Sequence, residues 1–302
     1  MAPAPPEKAA GYGSYLAYRS LAGILQRLPS AVTAPAGAVA GAILSRAQRD
    51  ERRIVRKNLA RVLGPSVSPG ELDRAVEEAF RSYARYWVES ARLKVMTPGE
   101  VLERFSIEGF EPARLALDER RGAIFALPHL GSWEIGGYWL TLKGHPMTTV
   151  VEPLEPPELF EWFQEQRRAL GLHILPLGPG ATERLVKTLH DGGLVGLVAD
   201  RDLKGHGVEV SFFGETTTLP GGPALLSLRT GAPLFPVAVY QHAHGYYHGV
   251  VRDPLAPPRT GHLRDDVREL TSALARQFEE LIALAPTQWH LFQPNWPSDR
   301  SR

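Results

Sequence analysis

Residues Gly122-Ala123-Ile124-Phe125-Ala126-Leu127-Pro128-His129-Leu130-Gly131-Ser132-Trp133-Glu134-Ile135 pass from a short apolar run, through Pro-His, into a segment that opens on Ser-Trp-Glu. The run 122–127 reads as a buried strand closed by Pro128, and Ser132 reads as the N-cap of a helix beginning at Trp133. His129 then falls in the crossing loop, five residues before Glu134. On one continuous helix that spacing would set the two side chains roughly 140° apart, whereas a loop-to-helix junction lets them converge. An imidazole titrates near neutrality, and a carboxylate fixes its tautomer and stabilises the imidazolium, so the pair predicts activation of a hydroxyl. The same spacing recurs at His248 and Asp253, but His248 lies inside the run 246–251, which reads as a strand interior.

Outward from this stretch, short apolar runs recur at Met147–Val151, His173–Pro176, 194–199, 234–240 and 246–251. Helical patterns alternate with them at Trp133–Leu142, 157–170, 181–191 and 223–230, and a last helix is expected over Leu263–Leu284, ahead of the aromatic tail Trp289, Phe292 and Trp296. Alternation of this kind predicts an α/β fold, a mostly parallel central sheet flanked by helices. Residues 14–61 read as helical with breaks at Pro29 and Pro35. A further helix over 69–94, begun by Ser68-Pro69, carries Leu72, Ala75, Val76, Ala79, Phe80, Tyr83 and Trp87 at core spacing.

The 302 residues are 43% hydrophobic and no linker divides them, which predicts one domain with a helical N-terminal extension over 1–61 and a catalytic core over 106–297. The absence of cysteine excludes disulfides, thiolate metal sites and a cysteine acyl-enzyme. The net charge of +1 conceals an asymmetry: residues 1–61 carry +7 and the remainder −6. Basic residues beside the apolar stretches 21–28 and 31–44 suit an anionic membrane surface, whereas no nucleic-acid-binding signature is present. No stretch is long and apolar enough to span a bilayer and no secretory signal is recognisable, so a peripheral protein on the cytoplasmic side is expected.

Other charged residues fall at strand ends, where open α/β sheets gather ligands. Glu152 follows one strand, and Arg167 and Arg168 close the next helix; a carboxylate and a guanidinium there either hold a polar headgroup or form a salt bridge. Asp200-Arg201-Asp202 follows another strand, as a site or a solvated loop. Backbone N–H groups at the helix start near Ser132 are placed to face an oxyanion or a phosphate.

Together, Pro128-His129-x4-Glu134, Glu152, Arg167-x3-Gly171, Asp191-Gly192-Gly193, Asp200-Arg201-Asp202, Phe212-Phe213-Gly214 and Gly222-Pro223-Ala224 with Thr230-Gly231-Ala232 and Pro236 resemble the lipid A late-acyltransferase branch of the lysophospholipid acyltransferase superfamily. Within it, Ala199 to Leu203, Gly207-Val208-Glu209-Val210 and the basic run from Arg53 to Leu59 look most like the phosphatidylinositol mannoside acyltransferases. The resemblance implies transfer of a palmitoyl group from acyl-CoA, the co-substrate, to the mannose 6-hydroxyl of a phosphoinositide mannolipid, with no cofactor and no metal. It implies His129 as general base, Glu134 as its supporting acid, Asp200 or Asp202 as an addition to the relay, and Glu152, Arg167 and Arg201 as substrate-binding residues. The alternatives are a lipid A-type acyltransferase fed by acyl carrier protein, an α/β serine hydrolase using Ser132 and Asp200 with His206 or His290, and a non-catalytic lipid-binding protein.

Overall fold

The computed structural model describes residues 12–202, 205–257 and 260–300. The Pro-rich tip with Glu7 and Lys8, and Leu203 of the strand-end motif, lie outside the described residues. Four helices come first: α1 (Tyr12–Arg27), α2 (Ser30–Ala47), α3 (Arg49–Leu63) and α4 (Pro69–Arg92). Pro29 breaks the chain as expected, but α2 runs on through Pro35. A capping box starts α4: the Ser68 hydroxyl accepts the Glu71 N–H, and the Glu71 carboxylate accepts the Ser68 N–H.

The chain then alternates through α5 (Pro98–Arg104), β1 (Phe105–Glu108), α6 (Glu111–Asp118), β2 (Ala123–Leu127), α7 (Trp133–Leu142), β3 (Met147–Val151), α8 (Pro157–Ala169), β4 (His173–Pro176), α9 (Ala181–His190) and β5 (Leu194–Val198). A hairpin, β6 (Val208–Phe212) and β7 (Glu215–Leu219), leads to α10 (Gly222–Thr230), β8 (Leu234–Gln241), β9 (Tyr247–Val251), α11 (Leu263–Leu284) and the single turn α12 (Pro297–Arg300). Seven strands form the central sheet in the order β1-β9-β8-β2-β5-β3-β4. Among the described residues, the β8–β9 pairing is the one antiparallel pairing of this sheet.

Every residue of β2 is buried because both faces of the sheet are covered. Ile124 and Ala126 join the core made with α9, α10 and α11, through Leu185, Leu226, Leu274 and Phe278. Phe125 and Leu127 face the opposite core, with Val101 of α5, Leu117 of α6 and Ile135 and Trp139 of α7. Each of the larger side chains among these contributes ~1.5–3 kcal/mol on burial, which puts β2 at the centre of both cores.

The N-terminal helices pack differently. The first half of the α4 stripe, Leu72, Val76, Ala79 and Phe80, is core with Val55 and Leu59 of α3 and Phe292. Large apolar side chains of α1 and α2 stay exposed, among them Leu21, Ile24, Val39 and Ile43, with Arg19, Arg27 and Arg49 on the same two helices and the start of the third. Three arginines of α3 are paired: Arg52 and Arg56 at the surface with Asp73, and Arg61, largely buried, with Glu215 and Asp299. No helix of the described residues is long and apolar enough to cross a membrane.

Candidate active site

Strands β2 and β5 are parallel neighbours with Leu127 opposite Val198. Two residues beyond that register stand His129 and Asp200, so the pairing itself delivers an imidazole and a carboxylate to one point at the carboxyl end of the sheet. His129 Nδ1 lies 2.5 Å from Asp200 Oδ1, and the His129 backbone N–H donates to Oδ2 at 3.0 Å. Trp289 Nε1 donates to Oδ2 at 2.7 Å, and Asn295 Nδ2 holds the Asp200 carbonyl at 3.0 Å. Both members are buried, Asp200 completely. Burial works to raise the Asp200 pKa, but the charge and hydrogen bond of His129, the Trp289 indole and the His129 amide together hold it below the ordinary carboxylate value. An ionised Asp200 accepts from Nδ1–H, which leaves Nε2 as the lone-pair nitrogen, and Nε2 has no hydrogen-bond partner.

The loop that carries His129 is clamped on both sides. His290 N–H donates to the His129 carbonyl at 2.7 Å, Gly131 N–H to the Gln288 carbonyl at 3.0 Å, and Ser132 N–H to the Val239 carbonyl at 3.0 Å. Gly131 is required because its φ is +58° and a Cβ would meet the Val239 oxygen at 1.9 Å. The Gly131 and Ser132 amides are thus taken up within the loop and are not free for an oxyanion or a phosphate. Ser132 does occupy the N-cap position of α7, but its hydroxyl caps nothing and is buried without a partner. His290 engages Ser82 through Nε2 at 2.9 Å, so the serine–histidine contact of a serine hydrolase is not built from Ser132 and His290.

Glu134 does not support His129. Arg167 reaches it from α8, with Nε at 2.9 Å and Nη2 at 2.8 Å, both on the single oxygen Oε1. The guanidinium lies over the rings of Trp133 and Phe163, and both partners of the pair are at least nine-tenths buried. The five-residue spacing sends the two side chains to different places because α7 begins between them and turns Glu134 toward α8. The strand-end carboxylate that meets the imidazole is Asp200. The other strand-end acid, Asp202, accepts the N–H groups of Gly205 and Gly207 and the Thr218 hydroxyl, which ties the loop after β5 to the hairpin.

A cavity of about 370 Å³ opens at His129, within the ~300–1,000 Å³ range typical of ligand sites. Its apolar lining includes Leu177, Leu185, Leu197, Leu225 and Leu226, and Glu152, Arg201, Asp202 and His206 supply polar groups. Glu152 and Arg201 thus stand beside His129. Arg167 does not; with Glu134 it borders a second cavity of about 410 Å³ between α1, α2, α4 and α8. Glu152 and Arg167 therefore do not form one headgroup clamp. Tyr83 and Trp87, expected as core, also line this second space. Trp289 is marked in the sequence only as part of an aromatic tail and Asn295 not at all; their distance from Asp200 in the chain carries no sequence signal.

The profile of the bacterial lipid A biosynthesis acyltransferase family matches residues 8–298. The chain belongs to this family. Within the bacterial lipid A biosynthesis acyltransferase family it is 42% identical to a phosphatidylinositol mannoside acyltransferase of Mycolicibacterium smegmatis, over 82% of this chain and 80% of that protein. It is 39% identical to the phosphatidylinositol mannoside acyltransferase of Mycobacterium tuberculosis, over 82% of this chain and 78% of the relative. The lipid A biosynthesis palmitoleoyltransferase of Escherichia coli is more distant, at 26% over 87% and 84%.

Proposed function

We propose that this acyltransferase moves a palmitoyl group from acyl-CoA to the mannose 6-hydroxyl of a phosphatidylinositol mannoside, with His129 as general base and Asp200 as the group that orients it. The observation that carries the chemistry is the unpartnered Nε2 of a buried, Asp200-bound histidine on the wall of a largely apolar cavity. The acceptor assignment draws on the two mycobacterial relatives, which exceed the lipid A enzymes in identity.

The mannose hydroxyl gives its proton to Nε2 as its oxygen forms the new ester bond to the thioester carbon. The C–S bond then breaks, and the imidazolium returns the proton to the departing thiolate. Throughout, Asp200 stabilises the imidazolium, as an oriented buried carboxylate does in other histidine bases. Glu152 and Arg201 stand where they can bind sugar hydroxyls and phosphate. Binding at the cytoplasmic face of the plasma membrane draws support from the exposed apolar side chains and arginines of α1 and α2, and Arg49 and Arg53 of α3 are exposed as well.

The test is transfer of radiolabel from palmitoyl-CoA to phosphatidylinositol mannoside by purified protein and its His129→Ala variant. Wild type should form product, and the folded variant about 10²–10⁴-fold less. Product from both at equal rate removes His129 from the mechanism; no product from wild type overturns the substrate pair and directs the assay to lipid A precursors and acyl carrier protein.

A further inference from the structure

The basic run from Arg53 to Leu59, with Arg61 beyond it, reads in the sequence as a surface for anions, yet the inner side of α3 is committed to the C-terminal segment 289–299. Asn58 is buried, and its Nδ2 donates to the Leu291 carbonyl at 2.8 Å. Lys57 Nζ donates to the Ser298 carbonyl at 3.0 Å. Arg61 Nη2 donates to Asp299 Oδ1 and Nε to Glu215 Oε2, both at 2.9 Å, and Nη1 donates to Asn58 Oδ1 at 3.1 Å. The same guanidinium lies 4.0 Å over the Trp296 ring.

Asp299 carries this grip onward. Its side chain has no exposed surface, and its second oxygen, Oδ2, accepts the Asn295 and Trp296 N–H groups, each at 3.2 Å. A carboxylate so enclosed depends on the guanidinium for its charge balance. Asn295, with its backbone fixed in this way, turns its own Nδ2 to the Asp200 carbonyl at 3.0 Å. Leu291, held by Asn58, follows directly on His290, whose N–H donates to the His129 carbonyl. Two paths of hydrogen bonds therefore run from α3 to the two halves of the buried pair, through Asp299 and Asn295 to Asp200 and through Leu291 to the His129 loop. A guanidinium already engaged with Asp299 and Glu215 is not available to a lipid or donor phosphate.

We infer that Arg61 and Asn58 are positioning residues for the His129–Asp200 pair, acting through the C-terminal segment rather than by binding a substrate. The inference rests on reading His129 as the general base. A misplacement of ~1 Å at a reacting group can cost ~10²-fold in rate, so a helix that touches no substrate can still set the turnover.

Full-length protein in detergent micelles, labelled with 15N-histidine, is followed by proton NMR. The Nδ1–H of His129 is the downfield imidazole resonance lost in His129→Ala, and its exchange with water measures how firmly Asp200 holds the ring. Arg61→Lys keeps a charge beside Asp299 but loses the fork that also reaches Glu215 and Asn58, whereas Arg61→Met would leave a buried carboxylate uncompensated. Asn295→Ala and Asn295→Ser both withdraw the carboxamide from Asp200, and the one that melts nearer to wild type is used. Exchange should quicken roughly threefold to thirtyfold in Arg61→Lys and in the Asn295 variant, and Arg61→Lys should add less than about twofold once Asn295 is replaced, because the path is already cut. Exchange in Arg61→Lys equal to wild type, or effects that multiply in the double variant, overturn the inference. Arg56→Ala, at the surface of the same helix and paired with Asp73, should leave exchange at the wild-type value, and an effect equal to that of Arg61→Lys would also overturn it. In transfer from palmitoyl-CoA, Arg61→Lys should lower kcat with KM for the donor unchanged; a raised KM at unchanged kcat assigns Arg61 to the donor head and refutes positioning. The exchange readout needs no turnover, so a protein that exchanges as expected but transfers no acyl group refutes the proposed reaction and leaves the positioning standing.

Discussion

At the scale of single residues, His129 is made useful by what holds Asp200. Three donors converge on the Asp200 carboxylate, from the His129 ring, the His129 amide and the Trp289 indole. Removing the indole donor while keeping an aromatic ring, as in Trp289→Phe, deletes a hydrogen bond to a charged group worth ~1.5–3 kcal/mol. The expected result is a drop in kcat of roughly tenfold to a hundredfold with little change in KM for the donor. The less stabilised carboxylate becomes more basic and draws its proton-sharing partner with it, so the acid limb of kcat/KM should move to higher pH. An unmoved limb with a lower kcat would mean that Trp289 acts through packing alone. Asp200 and His129 were both legible as strand-end residues, each after an apolar run. That they face one another depends on β5 lying beside β2, a pairing between segments some seventy residues apart that local pattern does not encode.

At the scale of elements, the loop between β2 and α7 shows how a backbone conformation serves the site. Gly131→Ala puts a Cβ against the Val239 carbonyl in addition to imposing a positive φ, whereas Gly144, with φ +87°, has no atom within 4 Å of the same position. Gly144→Ala should therefore cost only the ~1–2 kcal/mol of left-handed strain, while Gly131→Ala should lower thermal stability further and abolish transfer. Melting curves of the two variants separate clash from strain. Most of the strands were readable because each is a short apolar run bounded by glycine or proline. The hairpin β6–β7 was not, since its Glu and Thr residues alternate between exposed and covered and leave no continuous apolar signal. The edge strand β1 is four residues long, too short for a period to register. The start of α5 did carry a signal, the Thr97–Glu100 capping box. Pro35 misled because a proline deep in a helix costs one hydrogen bond, which the packing of α2 on α4 offsets; Gly41 lets those helices touch, since a Cβ there would lie 2.6 Å from Arg81 Cα.

At the scale of the whole molecule, two buried titrating groups pull stability in opposite directions with pH. Burial, then the His129 and Arg85 charges, push the His290 pKa down to about 3. Between about 3 and the ordinary histidine value near 6.5 the unfolded chain binds the extra proton, so stability falls as pH drops through that window. Burial raises Glu89 to about 7, against hydrogen bonds from Tyr247 and Gln241 and the charge of Arg85. Here the folded state holds the proton between 4.5 and about 7, so the contribution of Glu89 is complete below 4.5 and lost as pH rises through 7. Thermal midpoints should therefore fall as pH drops below about 4.5, stay level between about 4.5 and 6.5 where the two slopes cancel, and dip between 6.5 and about 7. Glu89→Gln should turn the level stretch into a rise towards 6.5 and remove the dip; a profile unchanged by that substitution would take Glu89 out of the balance.

The clasp on the His129 loop also sets an order of events during synthesis. A chain emerging from the ribosome contains His129 and Asp200 long before Trp289, His290 and Asn295, yet these late residues supply the indole, amide and carboxamide contacts that hold the pair. The sheet can assemble around β2 while its imidazole is still loosely held, so the proposed base is fixed in place last. The His129–Asp200 pair is therefore fully held only once the C-terminal segment has closed over the sheet.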